Sequence, residues 1–276
     1  MLSARFRSSL IIIPLLLAVV AIGGPVFAAF IAIVIVLASR ELLLLLRSAG
    51  YDGMPVLSAA IGVALVVDAF VPAQSTLGWS TVAALGVLAA GAAALSRRDP
   101  RDGFRLWLGT AGAGLYGGLL AFMVRLATSA PALHADAPLA VLGPERAWLC
   151  LLIGSVWAFD TGAYFTGRAI GRHHFMEHIS PKKTVEGVAG GLIATTAVAL
   201  FGFWAMSQPL WLALIFGPLI ALASQAGDLV ESMLKRAAGA KDSGSIIPGH
   251  GGILDRIDSF LFAAPIAVAF VALFIA

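Results

Sequence analysis

Charged residues are scarce in this chain. Asp, Glu, Lys and Arg make up 12% of its 276 residues, about half of what a soluble domain carries. A soluble fold of this length is excluded, because it would need a polar surface that the sequence cannot supply. Cysteine is scarcer still. The single Cys150 lies inside an apolar run, so no intrachain disulfide is possible and the redox compartment is left open. There is no convincing internal repeat, which argues against a transporter built from inverted halves. No low-complexity linker and no hydrophilic domain interrupts the chain.

What is there is hydrophobic: 60% of the residues are apolar, with a mean hydropathy of +0.96. The class is membrane. Net charge is +3. In a soluble protein that would suggest nucleic acid as a partner. Here the basic residues fall between apolar segments, where lipid headgroups and orientation explain them. No nucleic-acid partner is expected.

A span needs about 20 apolar residues. Nine segments qualify or come close: roughly 8–22, 26–46, 55–71, 76–95, 105–128, 147–167, 187–206, 209–232 and 257–275. The pattern predicts an all-α polytopic membrane protein. Gly23-Gly24-Pro25 separates the first two segments. Arg5, Arg7 and the run from Leu10 to Ile22 have the outline of a signal peptide, but the cleavage site is poor and hydrophobicity resumes after Pro25. The segment is therefore read as a retained span. With the N-terminus inside, only Arg125 and Arg146 of the 18 lysines and arginines fall at or near the outer side. That bias supports the count and an N-in, C-out orientation in the inner (cytoplasmic) membrane. Residues 1–146 form an Ala/Leu/Val-rich part of about five spans; residues 147–276, about four spans, concentrate the polar residues and the chemistry.

The most informative stretch is 225–259. Asp228, Glu231, Ser232 and Lys235 lie at i, i+3, i+4 and i+7, one face of a helix. Ionisable groups in a span are costly unless they meet a wet cavity, a metal or a partner. The plain alternative is a Glu231–Lys235 pair with Asp228 snorkelling to water; it is disfavoured for the whole face because Asp228 lies nearly two turns from Lys235. Next comes Pro248-Gly249-His250-Gly251-Gly252. Its glycines permit close backbone approach to a ligand, and their N–H groups can cradle phosphates. Asp255 and Asp258 open the last span at i, i+3. They suit a helix N-terminus and also suit Mg²⁺, which takes one or two carboxylates plus substrate phosphates. For Asp255 the metal reading is preferred; for Asp258 both stand.

Upstream, Asp160 lies inside the sixth span, and Ser180-Pro181-Lys182-Lys183-Thr184 precedes the seventh. The lysines bind phosphate or set topology; spacing alone does not choose. His173, His174, Glu177 and His178 offer i, i+4 histidines, a weak zinc cue, and are read as headgroup-facing.

The run from Ser232 to Arg236, then Lys241-Asp242, then Pro248 to Asp258 closely resembles the signature of phosphatidate cytidylyltransferases (CDP-diacylglycerol synthases). The match is long and rich in polar residues, hence specific. Asp160 to Tyr164 and Ser180 to Thr184 resemble that family's upstream motifs. Strong resemblance covers about 155–260; the Glu41 region and the N-terminal spans resemble the family loosely. The resemblance implies transfer of the cytidylyl group of CTP to phosphatidic acid, giving CDP-diacylglycerol and pyrophosphate, with Mg²⁺ and a second cation such as K⁺. It implies catalytic roles for Asp228, Lys235, Asp255 and Asp258, with Asp228 and Asp255 as the metal carboxylates. It implies substrate-binding roles for Asp160, Ser180, Lys182, Lys183, Thr184, Ser232, Arg236, Lys241, Gly249, His250, Gly251, Gly252 and Arg256. CTP, phosphatidic acid and membrane lipids are the expected partners, and a homodimer is compatible with the sequence. The alternative is a CTP-dependent polyprenol or phytol kinase or nucleotidyltransferase. A membrane transporter is more distant, because the charges cluster at the inner helix ends.

Overall fold

The structure, a computed structural model, describes residues 2–71, 78–247, 249 and 251–275, with side chains from Leu10 onward. All nine expected segments appear as helices over their described residues, with 76 and 77 of the fourth lying outside these, and the described residues contain only isolated bridges in place of strands. The helices are α1 (Leu2–Ile22), α2 (Gly24–Ser48), α3 (Pro55–Phe70), α4 (Trp79–Ala94), α5 (Pro100–Gly118), α6 (Ala121–Thr128), α7 (Pro144–Ile170), α8 (Val185–Ala205), α9 (Leu210–Ala237) and α10 (Leu254–Phe274). By length and composition six can cross a membrane: α2, α5 with α6 as one apolar stretch, α7, α8, α9 and α10. The apolar part of α1 (Leu10–Ile22), α3 and α4 are shorter.

Local chemistry sets the helix starts. Proline stands in the first positions of α2, α3, α5 and α7, where its missing N–H costs nothing and its fixed φ suits the helix. Asp99 caps α5 by accepting from Arg101 N at 2.8 Å, and Thr184 caps α8 by accepting from Gly187 N at 3.1 Å. The fifth segment, expected as one helix, is broken after Gly117-Gly118. There Leu120, Phe122 and Met123 donate to carbonyls three residues back, so the ladder tightens locally to a 3-10 pattern.

The chain divides into two compact units. One comprises the chain up to Thr128 together with Met233–Ile257; the other comprises Ser129–Ser232 and the chain from Asp258 onward. Helices α9 and α10 each carry the chain from one unit into the other.

In the first unit, glycines of α5 let α2 and α3 come close. A Cβ at Gly114 would lie 2.8 Å from Ser58 O, and one at Gly117 would lie 2.7 Å from Ser39 Oγ. Small residues are what allow helices to pack in lipid, where burying apolar surface gives little gain. The second unit joins α7 to α8 in the same way: a Cβ at Gly162 would lie 2.8 Å from Gly190 O. Its core adds an aromatic chain from four helices, with ring centroids 5.8 Å apart for Trp148–Phe203, 5.6 Å for Phe203–Phe216 and 5.2 Å for Phe216–Phe270. Large apolar side chains such as Ile33, Leu44, Ile193, Phe201 and Leu214 point outward, as lipid-facing positions do.

Candidate active site

The first N–H groups of a helix lack carbonyl partners within it. At the start of α10 two carboxylates meet this need. Gly252 N donates to Asp255 Oδ2 at 2.8 Å. Ile253 N donates to Glu41 Oε1 at 3.1 Å, and Leu254 N donates to Glu41 Oε2 at 2.8 Å. Ser243, in the segment between α9 and α10, ties the carboxylates together. Its N–H and its hydroxyl each reach Asp255 Oδ2 at 2.9 Å, and the hydroxyl also lies 3.2 Å from Glu41 Oε2. The remaining Asp255 oxygen, Oδ1, accepts from Lys235 Nζ at 2.6 Å. The pair is well shielded, with the side chains of Lys235 and Asp255 12% and 7% exposed. Low exposure strengthens such a charge-assisted bond.

The glycines of this segment follow from the same geometry. A Cβ at Gly252 would lie 2.2 Å from Ser243 Oγ and 2.4 Å from Glu41 Oε2, and one at Gly244 would lie 2.4 Å from Glu41 Oε1. The Gly252 N–H, one of the amides expected to face phosphate, is directed to Asp255. Gly249 and Gly251 have φ of 79° and 87°, a backbone region that favours glycine. Pro248 and His250 lie outside the described residues. Lys241, Arg236 and Arg256 are exposed, with Arg236 donating to Ala240 O at 3.1 Å.

In the second unit Lys183 Nζ pairs with Asp228 Oδ2 at 2.7 Å, and Ser232 Oγ donates to Asp228 Oδ1 at 3.3 Å. This pair is more open, with side chains 18% and 34% exposed. The loop carrying Lys183 is fixed from both sides. Glu186 accepts from the N–H groups of Arg172 and His173 and contacts the His173 ring, while Phe175 N donates to Lys183 O and Val185 N to His173 O. The histidine segment thus supports this loop. Ser180 accepts from Lys183 N through its carbonyl, Lys182 is exposed, and Thr184 is buried at its cap. Asp160 is exposed on α7, Glu231 is fully buried on α9, and Asp258 Oδ1 accepts from Ser259 N at 2.7 Å.

Of the expected residues, Lys235, Gly252 and Asp255 come together in the first unit, and Lys183, Asp228 and Ser232 in the second. Glu41 and Ser243 were not singled out by sequence. For Glu41 a signal existed: it is an ionisable residue inside a span, the same criterion that selected Asp160.

No group of three His, Cys, Asp or Glu side chains able to hold a metal ion occurs among the described residues. Mg²⁺ does not require one, because it keeps waters and substrate phosphates beside one or two carboxylates. Three donors face Asp255 Oδ2, so an ion at this carboxylate would have to share Oδ1 with the Lys235 ammonium. Asp228 offers a half-open carboxylate. The donor chemistry is hard oxygen and fits Mg²⁺ rather than a thiophilic metal.

Over residues 3–274 the chain matches the family model of the cytidylyltransferase family. It is 36% identical over 290 aligned residues, 98% of this chain and 96% of the relative, to a phosphatidate cytidylyltransferase of Synechocystis sp.. It is 53% identical over 113 residues, 40% of this chain and 44% of the relative, to a protein of the same name from Staphylococcus saprophyticus. Over the same length it is 50% identical to the one from Staphylococcus haemolyticus.

Proposed function

The chain belongs to the cytidylyltransferase family, and from that premise we propose that it transfers the cytidylyl group of CTP to phosphatidic acid, giving CDP-diacylglycerol and pyrophosphate. The observation that carries the reading is the Asp255 centre: a shielded carboxylate with a lysine on one oxygen and fixed donors on the other, at the start of a membrane helix.

In the reaction a phosphate oxygen of phosphatidic acid attacks the α-phosphorus of CTP. One P–O bond forms. The bond from the α-phosphorus to the oxygen bridging the β-phosphate breaks, and pyrophosphate leaves with the electron pair. A phosphomonoester has a second pKa of about 6, so the attacking group is largely ionised at neutral pH and no side chain has to act as base. The barrier is electrostatic, because anionic phosphates must approach and a charged group must leave. Lys235 and Lys183 supply positive charge. An ammonium has three donor positions, so a lysine steadied by one carboxylate can still meet a phosphate oxygen. Bound Mg²⁺ would neutralise further phosphate charge; Asp255 Oδ1 in the first unit and the Asp228 carboxylate in the second are each proposed as a metal carboxylate.

Phosphatidic acid cannot leave the bilayer cheaply, at about 0.8 kcal/mol per buried CH₂, whereas CTP arrives from water. We therefore read the polar helix ends as lying at headgroup depth on the cytoplasmic face of the inner membrane, with the N-terminus inside and the C-terminus outside.

The test is an assay in detergent with CTP and Mg²⁺, offering phosphatidic acid, a polyprenol or no lipid. CDP-diacylglycerol and pyrophosphate are expected with phosphatidic acid alone. Consumption of CTP with the polyprenol and none with phosphatidic acid would overturn the reading in favour of a related lipid kinase.

A further inference from the structure

Glu41 lies in α2 with 2% of its surface exposed, beside the buried Leu42 and Leu43. A carboxylate in such a place persists only when its oxygens are satisfied. They are satisfied by three donors: the N–H groups of Ile253 and Leu254 and the hydroxyl of Ser243. A carboxylate can accept from both amides and the hydroxyl, the hydroxyl hydrogen being shared with Asp255. The α10 macrodipole adds positive potential where it sits.

We infer that Glu41 is a positioning residue for the proposed reaction: by holding Ser243 and the start of α10, it sets the orientation of the Asp255 carboxylate. The coupling runs through one proton. Ser243 has a single hydroxyl hydrogen, yet its oxygen is 3.2 Å from Glu41 Oε2 and 2.9 Å from Asp255 Oδ2, and it lies 3.3 Å from Asp255 N as an acceptor. Both carboxylates share that hydroxyl, so a change at Glu41 alters the donor available to Asp255. Gly244 and Gly252 approach the Glu41 carboxylate so closely that neither position has space for a side chain. The N-terminal helices thereby take part in the chemistry through one side chain.

Glutamine tests this sharply. It has nearly the shape of glutamate but carries an amide NH₂, which must face either the α10 N–H groups or the Ser243 hydroxyl. The inference rests on the cytidylyltransferase reading, so wild-type synthesis of CDP-diacylglycerol is measured first. The full-length chain in detergent is then compared with Glu41→Gln, Glu41→Asp, Ser243→Ala and the Glu41→Gln/Ser243→Ala double variant. Elution profile and thermal melting report the folded fraction, and kcat and KM for CTP are taken per folded molecule. Glu41→Gln should lower kcat by about 10- to 100-fold, as loss of supporting partners around a site does, with the KM for CTP within about threefold on the same scale. Glu41→Asp, which keeps the acceptors, should recover part of the loss. Ser243→Ala should lower kcat similarly, and the double variant should be little worse than the worse single, as residues in one network behave. Wild-type kcat in Glu41→Gln, or losses that multiply in the double variant, would overturn the inference. If Glu41→Gln fails to fold, Ser243→Ala decides, because it leaves the buried carboxylate in place; an unaltered kcat there overturns it too. An inactive wild type would instead defeat the underlying reading.

Discussion

The two units hold their aspartates in opposite ways. Asp255 accepts from four donors on three residues and is 7% exposed. Asp228 accepts from Lys183 and Ser232, one on each oxygen, and is 34% exposed. A carboxylate gripped on both oxygens by backbone and lysine has one orientation. A half-open one, held by a long side chain and a hydroxyl at 3.3 Å, can turn. For the proposed reaction the contrast suggests a division of labour: the first centre would stay fixed as charge redistributes, and the second would adjust as anionic substrates arrive. On the proposed function, preorganisation of the first kind would serve rate, and adaptable ion pairing of the second kind would serve binding.

The sharpest way to break this contrast is Asp255→Asn. The amide would turn its NH₂ toward either Lys235 or the donors Ser243 and Gly252, leaving a donor facing a donor. We expect kcat to fall by at least about 10²-fold at saturating Mg²⁺, the scale of removing a preorganised electrostatic contact, with the chain still folded in the membrane. Normal turnover would remove Asp255 from the mechanism.

A second variant separates burial from function. In the first unit Arg125 pairs with Asp68 at 2.9 Å, and the Asp68 side chain is 3% exposed. Arg125→Met removes the charge partner and leaves that carboxylate only the Gly78 N–H at 3.1 Å, which should cost roughly 3 kcal/mol of stability, at the low end for breaking a buried pair. It should appear as a lower melting temperature in detergent, with kcat per folded molecule unchanged. A loss of kcat at full stability would mean that buried charge anywhere in this unit governs turnover, and the special status of Asp255 would lapse.

A smaller effect is expected at the adjustable centre. Lys183→Gln should raise the KM for CTP or phosphatidic acid about tenfold, the scale of one hydrogen bond to a charged group. Cysteine labelling of the loop from each side should show the same orientation as wild type. Unchanged kinetics would make Lys183 a topology signal and leave the second centre without a binding role.

Much of this was legible in the chain itself. Gly23-Gly24-Pro25, Pro55, Pro100 and Pro144 punctuate the apolar runs, and helices start at or beside each. Asp255 stood out because it follows a glycine-rich turn at a span boundary, although placement at a helix N-terminus was a plain alternative. The α5–α6 break was not legible, since Gly117-Gly118 is tolerated in many packed helices and only the local hydrogen bonds reveal the tightening. Glu41 was obscured differently. It sits against the run Leu42–Leu46, and its partners lie more than 200 positions away, so no local pattern names them. For Lys235 and Lys183 only the family resemblance implied a catalytic and a substrate-binding role, and their carboxylate partners depend on tertiary placement.

The central claim, cytidylyl transfer to a lipid phosphate, is tested most directly by following where the phosphorus of CTP goes. Purified chain, Mg²⁺ and phosphatidic acid are incubated with CTP labelled at either the α- or the γ-phosphate. The α-label is expected to enter the lipid fraction and the γ-label to leave as pyrophosphate. A γ-label in the lipid, with the α-label released as CDP, would contradict it and identify a CTP-dependent kinase instead.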